Sequence, residues 1–198
     1  MAKVTTEQKI QTVFLQMLKS TRYDQIKVSQ LAKAAGISRG TFYTYYDSIY
    51  DLLSDVENSL FNELPQMTAP IGNLADSQKI HDLLVVKLTY IQQHFPTLKL
   101  LMGPNGDPYF QYQLGRFFLP MAQEYEHALT HPNNSIELAL LNEATNGARM
   151  SIIHWWIYHP DAISIDELAD FLRRFIQQIM VLSQKEDAKK KLKSASPD

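Results

Sequence analysis

Val28-Ser-Gln-Leu-Ala-Lys-Ala-Ala-Gly-Ile-Ser-Arg-Gly-Thr-Phe-Tyr-Thr-Tyr-Tyr46 reads as two short helices joined at Gly36-Ile37-Ser38. The first runs from Val28 to Ala35 and stops at Gly36, because the first residue of so tight a turn takes a positive φ. Ser38 suits the N-cap of the second, which reaches about Tyr46. Ala32 falls where the two helices cross, and only a small side chain lets them approach closely. Leu31, Ala35, Ile37 and Phe42 supply the apolar contacts that set the crossing angle. Arg39, Gly40, Thr41, Tyr43, Thr44 and Tyr45 are left facing outward, and none of them is acidic. Three tyrosines in four residues, Tyr43, Tyr45 and Tyr46, make a poor free surface and call for a partner.

Helical periodicity continues on both sides. Thr5 and Gln8 have capping-box spacing, and Ile10, Val13, Phe14, Met17 and Leu18 then recur along one helical face. Asp47 and Ser48 can cap a fourth helix running to about Leu64, with Asp51 in its first turn favouring the helix dipole. Pro65 to Ser77 is rich in Pro, Gly, Ala and Asn and reads as a linker. A helix follows Ser77 with Ile80, Leu83, Leu84, Leu88 and Ile91 on one face, ending before Pro96. A short helix spans Thr97 to Met102, and Gly103-Pro104-Asn105-Gly106-Asp107-Pro108 breaks the chain. Another runs from about Tyr109 to Leu129, kinked or split near Pro120. After a turn at His131-Pro132-Asn133-Asn134, one long helix covers Ser135 to Tyr158. Ser164-Ile165-Asp166-Glu167 is a capping box opening the last helix, which carries Leu168, Phe171, Leu172, Phe175, Ile176 and Ile179. The expected fold class is therefore all-α. Residues 1–46 form a helix-turn-helix domain, 47–64 a connector helix, 77–185 a helical body and 186–198 a charged tail.

Composition narrows the function. The chain has 198 residues, 45% of them hydrophobic, which is enough to bury a core. There is no cysteine, which excludes disulfides, thiolate metal sites and cysteine nucleophiles. No apolar run approaches membrane-spanning length, and the first residues show no apolar signal stretch, so a cytoplasmic protein is expected. The net charge of −2 hides an asymmetry. Residues 1–46 hold seven Lys/Arg against two acids, for +5, and the remainder is −7. A basic segment on an acidic chain points to a polyanion.

Duplex DNA fits that partner. An α-helix enters the major groove, and its N-terminal residues reach base edges. Arg39 can pair with guanine O6 and N7, and Thr41 can meet a thymine methyl or a base acceptor. Gly40 and Ser38 let the backbone come close. Hydroxyls of Tyr43, Thr44 and Tyr45 can donate to phosphates, and Lys27, Ser29 and Gln30 can position the head on the backbone. The competing reading is an ordinary helical hairpin with surface aromatics.

Residues from about Thr5 to Leu60 resemble the DNA-binding domain of the TetR/AcrR family of bacterial regulators. The matching core is Val28-x-x-Leu-Ala-x-x-Ala-Gly-Ile-Ser-x-Gly-Thr-Phe-Tyr-x-Tyr-Tyr46, then Asp47 and the Leu52-Leu53 pair. The resemblance implies a three-helix DNA-binding head, a connector helix, and a C-terminal dimerisation and effector domain. It further implies a transcriptional regulator, most often a repressor, that binds a palindromic operator as a homodimer and is released by a small-molecule effector. Two positions depart from the pattern: Lys27 stands where many members have a capping Thr, and Ile49 where many have a Lys that touches phosphate. In the C-terminal half, Leu101 to Asp107, Gly147, Ile153-His-Trp-Trp156 and Ile165-Asp-Glu-Leu168 look like a subgroup common in low-GC Gram-positive bacteria.

In the body, a helix apolar nearly all round must be covered on more than one side. Leu141, Ala144, Ala148, Ile152 and Trp155 form one face of the long helix. Asn142, Thr145, Asn146, Arg149, Ile153 and Trp156 form another. Family members dimerise through their last two helices, which makes Ile153, Trp156, Phe171, Leu172, Phe175 and Ile179 the candidates here; the alternative is simple intrachain core. Phe110, Tyr112, Phe117, Phe118, Met121 and Tyr125 are an aromatic and Met-rich stripe, read as core or as pocket wall. Phe110, Phe117, Met121 and Tyr125, with Asn142 and Arg149 as polar groups, are the ligand-binding candidates. His127 and His131 have helical metal spacing but no acid or thiol in register, so no metal is expected. No phosphate loop, nucleophile elbow or catalytic carboxylate pair is present, so no catalytic residue, no cofactor and no enzyme activity is expected.

Overall fold

The computed structural model describes residues 4–62, 77–115, 135–175 and 178, and every regular element among them is helical. The chain falls into two compact units, Met1–Gln66 with His94–Leu114, and Met67–Gln93 with Gly115–Asp198.

The first unit opens with α1, Thr6–Leu18. Its capping box forms as the spacing predicts: the Gln8 amide donates to Thr5 Oγ1 at 3.1 Å, and Gln8 Oε1 accepts from the Thr5 amide at 3.0 Å. Ile10, Phe14 and Leu18 line its buried face. A 3₁₀ turn, η1, follows at Tyr23–Gln25. Then come α2, Val28–Ala34, and α3, Arg39–Tyr45. Leu31, Ala32 and Phe42 are buried where the helices pack.

The connector is α4, Ile49–Asn62. Ser48 Oγ accepts from the Asp51 amide at 3.0 Å, and Asp51 Oδ2 accepts from the Asp47 amide at 3.0 Å. These bonds satisfy amides that a helix start leaves open. Leu52, Leu53, Val56 and Leu60 form its inner face.

In the second unit, α5 covers Ser77–Gln93 and buries Ile80, Leu84, Leu88 and Ile91. Within the first unit, α6 spans Phe95–Leu101. It starts two residues before the expected Thr97, because Pro96 sits in the first turn, where a missing amide hydrogen costs nothing. The break after it is structural as well as local. Asn105 Nδ2 donates to the Leu18 carbonyl at 3.0 Å, and the Tyr23 amide donates to the Asn105 carbonyl at 2.9 Å. Helical residues 110–115 form α7, and Phe110 packs against Phe61 with ring centroids 5.7 Å apart.

The long helix α8, Ser135–Tyr158, belongs to the second unit, as do helical residues 165–175, α9. The predicted Ser164–Glu167 capping box opens α9: Glu167 Oε2 accepts from the Ser164 hydroxyl at 2.6 Å and from its amide at 3.0 Å. Those two bonds hold the Glu167 carboxyl below its ordinary range. Among the described residues no helix is long and apolar enough to cross a membrane.

Candidate nucleic-acid interface

The α2–α3 corner is built by two local devices. Gly36 adopts φ +66°, the one positive φ among the described residues. A Cβ built there meets nothing within 4 Å, so glycine is needed for the backbone angle and not for space. Ser38 Oγ then accepts from the Thr41 amide at 2.9 Å and starts α3.

What this turns outward matches the sequence in most respects. Ser38, Arg39, Gly40 and Thr44 are exposed, and Tyr43 and Tyr45 keep 48% and 44% of their surface open. Lys27, Ser29 and Gln30 are exposed at the start of α2. A Cβ built at Gly40 would meet only Ser38 Oγ, at 3.6 Å, so the outer side of this residue is open. Two polar groups are spent locally: the Thr41 hydroxyl lies 2.9 Å from Ser38 Oγ, and Thr44 Oγ1 donates to the Gly40 carbonyl at 3.1 Å. Lys27 offers no side-chain cap to α2, so its ammonium is left to the surface.

Tyr46 differs from the expectation of three outward tyrosines. It is buried, its ring packs on Phe42, and its hydroxyl donates to Asp55 Oδ2 at 2.8 Å. The reason is helical periodicity: positions 42 and 46 share one face, while 43 and 45 point elsewhere. Burial, with the Asp55 carboxylate next, pushes the Tyr46 phenol well above its ordinary range and keeps it a donor. Sequence reasoning missed Tyr50, which stands 60% exposed in the first turn of α4, beside Ile49. Its signal was an aromatic at a position with no partner on the buried Leu52–Leu53 face.

The body candidates divide. Phe110 is fully buried against Phe61 in the first unit, which makes it core there. Arg149 lies half-buried on the inward face of α8 with Thr145 and Asn146. Phe117, Met121, Tyr125, Ile179, His127 and His131 lie outside the described residues, as does the side chain of Asn142. Ile153, Trp156 and Leu172 are buried within their own chain and so serve as core, not as surface for a partner. Phe171 is exposed and stacks on half-buried Phe175. The outward face of α8 is instead Ile136, Leu140, Glu143, Ala144, Gly147, Ser151, Trp155 and Tyr158.

Residues 17–56 match the profile of the family described as bacterial regulatory proteins, tetR family. No curated protein sequence matches the chain. Solved structures do. A tetR-family transcriptional regulator from Streptomyces coelicolor superposes with a TM-score of 0.62 at 20% identity, over 100% of this chain and 92% of that one. The dihydroxyacetone kinase operon activator DhaS gives 0.60 at 18%, over 91% and 98%. A tetR family transcription regulator from Shewanella sp. PV-4 gives 0.58 at 17%, over 89% and 96%. At these identities the likeness is one of fold, and the sequence match lies in the head. The chain thus carries a helix-turn-helix head of the tetR family on an all-helical fold shared with solved regulators of that family.

Proposed function

We propose that this protein is a DNA-binding transcriptional regulator: a homodimeric repressor that reads a palindromic operator and is released by a small-molecule effector. The observation that carries the reading is the outward face of α3, with Arg39, Tyr43 and Tyr45 exposed on a helix that has no acid. Arg39 makes the base-edge contact, and Lys27, Tyr43, Tyr45 and exposed Tyr50 contact phosphates. The profile match over 17–56 supports the head as the DNA reader.

The dimer is supported by the outward stripe of α8. Residues 136, 140, 144, 147, 151, 155 and 158 recur every three or four positions along about 33 Å of helix, at 1.5 Å rise per residue. Apart from Glu143, it presents exposed Ile136, Leu140, Trp155 and Tyr158, with Phe171 on α9, and two-fold self-association covers these large apolar side chains while matching a palindrome. Effector response is supported by the polar groups Thr145, Asn146 and Arg149 on the inward face of α8, ahead of apolar Met150, Ile153 and Trp156. Ligand binding favours one arrangement of the body helices, and the paired heads lose the spacing needed for successive major grooves.

The test is a salt-dependent gel shift on the promoter next to the protein's own gene, with Arg39→Ala and Tyr43→Ala alongside wild type. Both variants should lose the shifted band while remaining folded. Undiminished binding by both would refute the assignment of α3 as reader, and equal affinity for random DNA would refute an operator. Transcription from that promoter with and without the protein separates repression from activation.

A further inference from the structure

A charged residue is buried where the head needs apolar packing. Glu57 on α4 is 3% exposed, on the same inner face as Leu53, Val56 and Leu60. Its Oε1 makes no hydrogen bond among the described residues. An ionised carboxylate in such a place is costly, and a protonated one is tolerated. η1, which packs on α4, carries Tyr23 and Asp24, with Arg22 just before it; the other elements of this unit carry Glu7 and Lys9 on α1, Lys19 at its C-cap, Lys99 on α6 and Asp107 on the loop after α6. Asp107 is the one whose charge acts on Glu57. Arg22 is ion-paired with Asp24.

Asp107 ends the loop that fastens the head. Asn105 in that loop caps the Leu18 carbonyl at the end of α1 and accepts the Tyr23 amide of η1. Gly106 lies so close to the end of α6 that a Cβ would stand 2.0 Å from the Leu101 carbonyl oxygen. The loop is therefore held on one side by α6 and on the other by η1, which itself packs on α4, the helix that carries Glu57.

We propose that Glu57 is a proton-operated control on the docking of the 103–107 loop against the head. With Glu57 protonated, the loop sits on α1 and η1 as observed. With Glu57 ionised, a buried charge faces Asp107, and release of the loop lets water reach both carboxylates. Burial, and then Asp107, raises the Glu57 carboxyl to about 7. The docked state thus binds the proton more tightly than a solvated Glu57 does. Docking is strongest below the ordinary value of 4.5, weakens as pH rises from there to 7, and is flat above. Between pH 6 and 7.5 the docking constant falls about tenfold, because across that range only the docked form still holds the proton. The inference concerns the loop and the head alone and stands apart from the identity of the head's partner.

The test is amide hydrogen exchange at Tyr23 on the full chain between pH 5.5 and 8, corrected for intrinsic pH dependence, in wild type, Glu57→Gln and Asp107→Asn. Protection in wild type should fall with rising pH. Glu57→Gln should stay protected throughout, and Asp107→Asn, which lowers the docked Glu57 carboxyl, should make the fall smaller and end it at lower pH. A wild-type pH profile matching that of Glu57→Gln would overturn the proposal. Carboxyl ¹³C NMR of wild type needs no variant: titration of Glu57 near 7 supports it, and titration near 4.5 defeats it.

Discussion

The Tyr46 hydroxyl donates to Asp55 Oδ2 at 2.8 Å, and the same oxygen receives Gln11 Nε2 at 2.9 Å. One carboxylate oxygen therefore joins the end of α3, the middle of α4 and the second turn of α1. Tyr46→Phe keeps the ring against Phe42 but removes the donor. It should cost about 1 kcal/mol of stability, the net worth of a part-buried hydrogen bond. Asp55→Ala removes the shared acceptor for both partners and should cost more, read as a drop in denaturant midpoint at constant slope. Equal stability of all three proteins would mean the network does not fix α3.

Much of this head was legible from the sequence, and what escaped has a common cause. Gly36, Ser38, the Thr5–Gln8 box and the Ser164–Glu167 box act through neighbours three or four residues away, and all formed as read. Asn105 showed only as part of a break, because its bond to the Leu18 carbonyl spans 87 residues. Glu57 gave no signal of its own, because its burial comes from helices distant in sequence and not from its neighbours on α4. In α8 the difficulty was different. Apolar residues on nearly every side leave no preferred direction, so Trp155 and Trp156 could not be ranked for burial.

Gly36 and Gly106 are predicted to fail for opposite reasons. Gly36→Ala meets no atom but must hold φ +66°, so it should cost about 1–2 kcal/mol of backbone strain. Gly36→Asn should recover part of that, because Asn visits this region more readily. Gly106→Ala places Cβ 2.0 Å from the Leu101 carbonyl oxygen and 2.5 Å from its carbon, so α6 or the loop must shift. It should destabilise by more than Gly36→Ala. Thermal midpoints in the reverse order would contradict this division into strain and clash.

Arg39 and Lys27 should separate reading from anchoring. Both are exposed, so alanine at either should leave stability within about 0.5 kcal/mol of wild type. Arg39→Ala should lose about 1–3 kcal/mol of operator affinity and relax preference at one base pair. Lys27→Ala should weaken binding to all sequences alike and lower the salt slope by about one. Fluorescence anisotropy across a salt series with operator and scrambled DNA measures both, and a salt slope unchanged by Lys27→Ala would remove that contact.

Trp155 and Trp156 adjoin in sequence and should behave as opposites. Trp156 is fully buried, with Ile153 and Ile157 on the same inward face of α8. Trp156→Ala empties that space and should cost about 3–5 kcal/mol, enough to unfold a marginal body. Trp155 is 49% exposed, stacked on His159 with ring centroids 4.5 Å apart, on the stripe that includes Leu140 and Tyr158. Trp155→Glu should leave helix content intact yet put a charge into the proposed two-fold interface, turning dimers into monomers. Leu140→Glu, about four turns away on the same stripe, should do the same. Sedimentation and circular dichroism on the three variants decide the matter: a folded Trp155→Glu dimer as tight as wild type would show that the partner covers some other face.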